Sequence, residues 1–499
     1  MTGWPQSPVI YEVNTAVWLG ELSRAAGRPV TLADVPDAAW DAVTPAGADA
    51  VWLMGVWERS PAGLELARAT PGLLSSFREA LPDLKEQDII GSPYCVHRYA
   101  ADERFGGPPA LAAARAALAA RGVRLILDYV PNHVAPDHPW VTGHPEFFIE
   151  GGEDDIKADP AGWLPASGHV LAHGRDPYFP PWPDVVQLNA FSPRLRAATA
   201  RTLSDIADQC DGIRCDMAML MTNDVFGKTW GGRAGQRPDE EFWPAVFARL
   251  RPRHRQTVLI AEAYWDMEWA LQQQGFGFCY DKRLYDRIVE PSPPAVHGHL
   301  QADLGYQARL LRFLENHDEP RIAGRLPAVL ERAAAVAVAT LPGATMWHEG
   351  QFEGRRARVP VFLQRRPDEP PDEDLAAWHR DLLFTVAAHG VRTGAWQLLG
   401  IDGWPDNQSC ASLVAWSWTP GDSRDGDAGR SGRHVVVVNL SQSPAQGQVR
   451  LPWPDLPGRR WRFRDLLTGE DFTRDGGRLA GPGLFVDMGP GQSYLFAVR

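Results

Sequence analysis

Lysine is scarce in this chain of 499 residues, which has four lysines among its 50 basic residues. Acidic residues outnumber basic ones, 62 to 50, so the formal net charge is -12 at pH 7. Proteins that bind nucleic acid or an anionic membrane surface use basic patches, which an acidic chain disfavours. We therefore expect neither nucleic acid nor a membrane as a partner.

Cysteine is also sparse, and long apolar runs are absent from the sequence. The five cysteines are Cys95, Cys210, Cys215, Cys279 and Cys410. Because they are scattered and form no CxxC pair, we expect no disulfide framework and no zinc site, and we favour a reducing compartment. The longest apolar stretch, residues 333–341, is about half of a membrane span, and the first residues lack the pattern of a secretion signal. These features predict a soluble, cytoplasmic protein.

Tryptophan, in contrast, is abundant, with 20 residues. Its large ring covers flat ligands well, so this content in an acidic, lysine-poor chain suits a neutral hydroxylated ligand. The alternative is that most of these rings belong to the core.

Short apolar segments alternate with helical stretches through the first 394 residues. Eight segments are predicted to be strands: 9–13, 50–54, 125–130, 212–215, 258–261, 277–280, 312–314 and 344–347. Eight strands separated by helices favour a parallel (β/α)8 barrel over an open doubly wound sheet. No glycine-rich phosphate loop follows the first strand, which also disfavours a dinucleotide-binding fold.

Two further regions depart from this alternation. Residues 134–210 are too many for one βα unit, so we interpret them as an excursion after the third strand that carries part of the substrate pocket. Residues 395–499 alternate like short strands between Gly, Pro and Asp turns, which predicts a C-terminal antiparallel β domain. Within it, residues 420–432 are predicted to form a mobile hairpin loop.

Acidic and imidazole side chains follow four of the predicted barrel strands. They are Asp128 with His133, Asp216 preceded by Arg214, Glu262, and Asp318 preceded by His317. Functional residues of such a barrel lie where strands end. Each acid alone is typical of a helix cap or a loop, but a convergent group of them marks a candidate site.

Two of these acids have the surroundings that glycoside hydrolysis requires, namely one ionised and one protonated carboxyl group. Arg214 lies two residues before Asp216, so both side chains point to the same side of the strand and can pair. Asp216 therefore fits the nucleophile. Glu262 lies among apolar and aromatic neighbours, which raise the pKa of a carboxyl group, so it fits the acid/base.

Four short segments, in this order along the chain, resemble the motifs of the α-amylase family, glycoside hydrolase family 13. They are DYVPNH (128–133), GIRCD (212–216), AE (261–262) and ENHD (315–318). The resemblance covers about residues 8–390. It implies a (β/α)8 barrel in which Asp216 is the nucleophile, Glu262 the acid/base, and Asp318 the third acid, which grips sugar hydroxyls.

The resemblance also implies substrate-binding roles for five residues. His133 and His317 would hydrogen-bond the sugar that is attacked, and Arg214 would orient the nucleophile. Asp128 would support the site from the third strand, and Tyr94 would stack on the sugar.

The chain departs from the family pattern at two places. Met219 and Leu220 stand where many amylases carry Lys and His for the sugar on the leaving-group side, which makes a starch-type polymer amylase less favoured. Asn132 matches a calcium ligand of many amylases, but the His whose backbone often completes that site is missing. We therefore expect no cofactor and no metal, with calcium as the alternative.

The preferred function is a retaining hydrolase that acts on α-glucosidic bonds of a small α-glucoside or a short α-glucan. One alternative is a transglycosylase, isomerase or phosphorylase that uses the same covalent glycosyl-enzyme, because the carboxylates are shared and the acceptor pocket decides. Two further alternatives are a non-catalytic barrel used for binding and an unrelated barrel hydrolase. The oligomeric state stays open.

Overall fold

A closed barrel of eight parallel strands forms the centre of the computed structural model, which describes residues 3–420 and 432–499. The barrel strands are Val9–Asn14, Ala50–Met54, Arg124–Tyr129, Gly212–Cys215, Val258–Ala261, Phe278–Tyr280, Leu310–Arg312 and Ala344–His348. Each strand pairs with its neighbours in chain order, and the first strand pairs with the last to close the barrel. The predicted (β/α)8 barrel is thus confirmed.

The barrel strands are apolar on both faces because helices cover the outside and side chains fill the inside. Every residue of the first three strands is buried. The α-helices are Thr15–Ala26, Asp37–Val43, Pro61–Ala69, Pro71–Ala80, Gly107–Ala120, Pro139–Gly143, Glu153–Ala158, Pro193–Ala207, Asn223–Trp230, Phe242–Leu250, Glu268–Gln273, Lys282–Val289, Pro293–His299, Leu304–Gln307, Ala328–Thr340, Glu373–Ala388 and Gly476–Ala480.

The seventh strand differs from the prediction. It spans Leu310–Arg312, whereas the sequence pattern predicted residues 312–314. Its ladder pairs Leu310 with Cys279 and Arg312 with Thr345 and ends there. Phe313 and Leu314 are apolar and buried although they follow the strand. For this reason the apolar pattern placed the predicted strand two residues too late.

The excursion after the third strand folds around a small sheet of its own. A separate two-stranded sheet, which is not part of the excursion, pairs Trp57–Arg59 with Val96–Ala101 earlier in the chain. The excursion contributes four antiparallel strands, in the spatial order His133–Val134, Trp182–Gln187, His169–Gly174 and Trp163–Ala166. The first of these begins four residues after the third barrel strand ends, so the excursion starts at the carboxyl end of the barrel.

The C-terminal region is antiparallel, as predicted. A six-stranded sheet has the order Ala395–Leu399, Leu413–Thr419, Arg433–Asn439, Ser493–Val498, Arg460–Asp465 and Asp471–Asp475. A three-stranded sheet has the order Ile401–Asp402, Ala445–Val449 and Leu484–Met488. Most of the loop predicted at residues 420–432 lies outside the described residues.

All five cysteine thiols are free, and Cys410 alone among them is not fully buried. Over the ranges that the structure describes, no helix is both long enough and apolar enough to cross a membrane.

Trp418 joins the C-terminal sheet to the barrel, because its indole N–H donates to the carbonyl of Thr340 at 2.8 Å. Trp418 is buried, so Trp418→Ala leaves a cavity and should lower the free energy of unfolding by about 3–5 kcal/mol. Urea denaturation measures this loss. The control Trp269→Ala removes a ring that is 54% exposed and should cost about 0.5 kcal/mol or less. Equal losses in both variants would contradict the contact.

Candidate active site

Arg214 lies at the centre of the candidate site, at the carboxyl end of the barrel. Its Nη1 is 2.8 Å from Oδ1 of Asp216 and 3.7 Å from Oδ1 of Asp128, and its Nη2 is 2.7 Å from Oε2 of Glu262. The fourth strand carries Arg214, and each of these carboxylates comes from within or directly after the third, fourth or fifth strand. One guanidinium therefore joins three strand ends.

Aromatic rings enclose the same guanidinium. The rings of Trp52, Tyr94 and Tyr280 lie 5.2, 5.4 and 5.7 Å from its central carbon. Burial by itself would lower the pKa of Arg214, but Glu262, the two tyrosines and Asp216 together raise it well above its usual value. Arg214 is consequently a permanent cation, held by carboxylates and by ring faces.

Glu262 is buried and fully engaged by donors. Its Oε2 accepts the backbone N–H of Met217 at 2.7 Å, and its Oε1 accepts the hydroxyl of Tyr264 at 2.9 Å. Met217 has a φ of 39°, a backbone conformation that non-glycine residues rarely adopt. Burial raises the pKa of Glu262 to about 7, although Arg214 and the N–H of Met217 act in the opposite direction. Tyr264, expected as an apolar neighbour, is a hydrogen-bond donor here.

Asp216 follows directly after the fourth strand and is also buried. Burial raises its pKa, and the charge and hydrogen bond of Arg214 lower it in part. Asp128 lies deeper, where its Oδ2 accepts the backbone N–H of Gly55 at 3.0 Å and its carbonyl accepts the indole N–H of Trp57 at 2.8 Å. These bonds fix Asp128 behind Arg214.

Asp318 is the most accessible of the predicted acids, with 47% of its side chain exposed. Burial raises its pKa to some extent, but His317, whose Nε2 is 2.9 Å from Oδ2 of Asp318, brings the net pKa to about 2. His317 is buried, and its pKa is raised well above its usual value because Asp318 and Glu12 outweigh the cost of burial. The two residues form a charged pair at the mouth of the site.

His133 differs from His317 in its charge. Burial lowers the pKa of His133 to about 4, so its ring is neutral at pH 7. The ring lies edge-on to Trp182, with centroids 5.3 Å apart. The ring of Tyr94 stacks on His317, and the Tyr94 hydroxyl is 2.8 Å from Nε2 of that histidine.

A cavity of about 360 Å³ opens between these side chains, a volume typical of ligand sites. Five of the eight predicted site residues line it: Tyr94, His133, Asp216, Glu262 and Asp318. Arg214 and His317 lie behind that lining and contact its carboxylates, and Asp128 lies behind it beside Arg214. The structure thus brings all eight residues together.

Sequence reasoning missed several residues of the site: Glu12, Trp52, Tyr280, Asp184 and Phe362. Glu12 comes near the end of the first barrel strand, so the rule that found the other acids could have found it. Tyr280 ends the sixth barrel strand and meets the same rule, and like Trp52 it reaches the site by packing on Arg214. Asp184 and Phe362 carry no local signal, because only the tertiary fold brings them to the cavity.

The side-chain oxygen of Asn132 is occupied by a hydrogen-bond donor from the protein. Nε2 of Gln187 donates to the side-chain oxygen of Asn132 at 2.9 Å and to the backbone carbonyl of Asn132, also at 2.9 Å. In residues 3–420 and 432–499, no group of three or more His, Cys, Asp or Glu side chains is arranged to hold a metal ion. These hydrogen bonds connect the excursion, through Gln187, to Asn132, which follows the third barrel strand.

Met219 and Leu220 are both buried in a short helical turn, residues Ala218–Met221. They belong to the core and do not line the cavity, whereas the neighbouring Met217 does. The leaving-group side therefore has no polar side chain from these two positions.

Fold and cavity together define a (β/α)8-barrel protein whose carboxylates converge around one arginine. No family model matches the chain. In sequence it is 24% identical over 376 residues to the α-amylase MalA of Haloarcula japonica, which covers 73% of this chain and 47% of that protein. The chain spans about half the length of the curated relatives it matches.

Solved structures with the same fold cover nearly the whole chain. The maltogenic α-amylase AmyB of Thermotoga neapolitana has a TM-score of 0.69 and 18% identity, and 99% of each chain is covered. The α-amylase of Geobacillus thermoleovorans, solved in complex with acarbose, has a TM-score of 0.65 and 16% identity over 100% of this chain and 99% of that one. The chain thus shares its fold with these solved α-amylases, and its sequence similarity is also to α-amylases.

Removing the guanidinium tests whether it holds the site together. Arg214→Met leaves Asp216 and Glu262 buried without their cation, so the free energy of unfolding should fall by about 3–5 kcal/mol at pH 8. The loss should shrink at pH 5, because a carboxyl group that has lost its cation is protonated more readily. Equilibrium denaturation at the two pH values measures both effects.

The matched control is Arg462→Met, whose guanidinium pairs with Asp471 while 60% of the side chain is exposed. An exposed ion pair contributes little because water and salt screen it, so this variant should be nearly neutral at both pH values. A loss at Arg214 that matches the control would rule out a structural role of the guanidinium.

Proposed function

We propose that the chain is a retaining glycoside hydrolase that cleaves α-glucosidic bonds of a small α-glucoside or a short α-glucan. The observation that carries this proposal is the pair of buried carboxylates on one guanidinium, Asp216 and Glu262 on Arg214, at the wall of the cavity. Glycoside hydrolysis with retention requires two carboxyl groups about 5–5.5 Å apart, one a nucleophile and one an acid.

In the first step, a carboxylate oxygen of Asp216 bonds to the anomeric carbon as the glycosidic bond breaks. The proton of Glu262 passes to the departing oxygen, and the leaving sugar departs as an alcohol. Burial raises the pKa of both carboxyl groups, to about 7 at Glu262, and Arg214 opposes this rise at both. Asp216 alone of the two accepts a hydrogen bond from the guanidinium, which favours its ionised form. This difference supports the assignment of acid and nucleophile.

In the second step, Glu262 acts as a base and takes a proton from water. The water oxygen bonds to the anomeric carbon, and the ester bond to Asp216 breaks. The sugar leaves with its original configuration, and both carboxyl groups return to their starting states. The hydroxyl of Tyr264 and the N–H of Met217 stabilise Glu262 while it is an anion.

We assign the binding of sugar hydroxyls to Asp318, His317 and His133. Asp318 is an anion and an acceptor, and its partner His317 supplies positive charge beside it. The neutral ring of His133 adds one donor and one acceptor.

A neutral carbohydrate suits the cavity because carboxylates line it. Asp184, Asp216 and Asp318 disfavour an anionic ligand, and the rings of Trp182 and Phe362 provide apolar faces. A short substrate is supported by the burial of Met219 and Leu220, which leaves the leaving-group side without polar contacts from them. A cytoplasmic location is supported by the five free thiols.

The first test uses amide variants and a panel of maltose, maltotriose, trehalose, sucrose, sugar phosphates and starch. Asp216→Asn should lower kcat by about 10⁴-fold or more, and Glu262→Gln by about 10²–10⁴-fold, because each loses a group that acts in the bond-breaking step. The control Asp224→Asn changes a carboxylate that is 69% exposed and should keep full activity.

Product analysis separates the alternatives in the same assay. Anomeric NMR should detect an α product first, and a β product would contradict retention. Products longer than the substrate would indicate transfer to a sugar, and sugar phosphates formed from inorganic phosphate would indicate a phosphorylase. Near-normal activity of either amide variant would overturn the mechanism.

The second test is the pH dependence of kcat. Because Glu262 must carry a proton and its pKa is about 7, kcat should fall as the pH rises above 7. Tyr264→Phe removes a donor that stabilises the ionised form, so the alkaline limb should move up by about 0.5–1 pH unit. Tyr306→Phe, remote from the cavity, should leave the limb in place. A downward shift in Tyr264→Phe would contradict the assignment of Glu262.

A further inference from the structure

Glu12 is a buried carboxylate for which the mechanism above gives no role. It lies in the first barrel strand, Val9–Asn14, and is 0% exposed. Its Oε1 is 2.5 Å from Nδ1 of His317, a residue 305 positions away in the chain. Among the described residues, no donor reaches its other oxygen, Oε2. A buried carboxylate is costly unless a charged partner offsets its loss of water, so the contact with His317 has to be strong.

His317 meets a carboxylate on each of its two ring nitrogens. Nδ1 faces Glu12, and Nε2 is 2.9 Å from Oδ2 of Asp318. An ionised carboxylate only accepts hydrogen bonds, so both nitrogens carry protons, which is the imidazolium form. The hydroxyl of Tyr94, 2.8 Å from Nε2, then presents its oxygen to that proton.

The other charged groups around this pair are occupied elsewhere. His348 lies beside Glu12 in the ladder between the first and the last barrel strands. Burial lowers the pKa of His348 to about 3, so this ring is neutral. Arg321 is engaged by Glu315, by His348 and by the carbonyl of Glu349. The groups that face His317 or act on it electrostatically are Glu12, Trp52, Tyr94, Asp128, Asp318 and His348. Thus His317 is the cation that directly contacts Glu12.

We propose that Glu12 is a positioning residue that fixes the ring of His317, so that Nε2 stays beside Oδ2 of Asp318 and the charge of the ring holds this acid at the mouth of the cavity. This inference rests on the proposed function, in which Asp318 and His317 bind sugar hydroxyls. Glu12 touches no substrate and acts through His317. The charge of Glu12 matters as well as its shape, because a neutral side chain could accept the same hydrogen bond without stabilising the second ring proton.

The test measures the protonation of the His317 ring by NMR of its imidazole nitrogens in the full chain, with His317→Gln to assign the signal. In the native protein both nitrogens should be protonated at pH 8. In Glu12→Gln the pKa of His317 should fall by about 1–3 units, as expected when a neighbouring carboxylate is removed. Glu12→Asp keeps the charge and should restore most of the native value.

The matched control is Glu331→Gln, which neutralises another buried carboxylate on a helix outside the cavity. It should leave the His317 titration unchanged. A neutral His317 ring in the native protein at pH 8 would overturn the proposal, as would an unchanged titration in Glu12→Gln. If Glu12→Gln fails to fold, the native titration and Glu12→Asp decide.

Activity provides a readout that a merely structural role would not move. At pH 5.5, where His317 stays protonated in either protein, the kcat/KM of Glu12→Gln should approach the native value. At pH 7.5 the kcat/KM of the variant should be lower than the native value by about tenfold for each unit by which the pKa of its His317 lies below 7.5. An equal loss at both pH values would indicate damage to packing and would overturn the proposal. Because the NMR titration needs no turnover, a native protein without glycosidase activity would refute the proposed function alone.

Discussion

At the carboxyl end of the barrel, the Arg214 guanidinium neutralises acids that three separate strands bring together. Asp216 and Glu262 each contact one of its terminal nitrogens, and Asp128 lies 3.7 Å from the nitrogen that contacts Asp216. Without a cation there, carboxylates so deeply buried would repel each other or take up protons. The geometry of the candidate site therefore depends on one side chain, which itself is fixed by the strand that carries it and by the aromatic rings around it.

The same cavity holds groups of opposite protonation within a short distance. Burial dominates at Glu262, which gains a pKa of about 7, and at His133, whose pKa falls to about 4. Charge pairing dominates at Asp318 and His317, which stabilise each other as ions. A protonatable acid, a neutral imidazole and a charged pair thus arise from ordinary side chains, because burial and pairing act in different proportions at each position.

Regular local patterns were sufficient for the barrel but not for every strand of the C-terminal domain. The barrel strands are apolar runs with sharp ends, and seven of the eight lie within one residue of the predicted bounds. The strand Asp471–Asp475 is an exposed edge strand with almost no apolar residues, so its sequence carries no signal. Leu484–Met488 alternates between buried and exposed residues in the period-two pattern of a strand.

The pairing of Arg214 with Asp216 follows from the sequence alone, because the two residues are two positions apart and share one face of a strand. The sequence also determined the order of the motifs and hence the family that the chain resembles. Only the tertiary structure decided the contact of Glu12 with His317, since 305 residues separate them and the closure of the barrel makes them neighbours. It likewise decided every protonation state, because burial and charge pairing depend on the side chains that surround a group in space rather than along the chain.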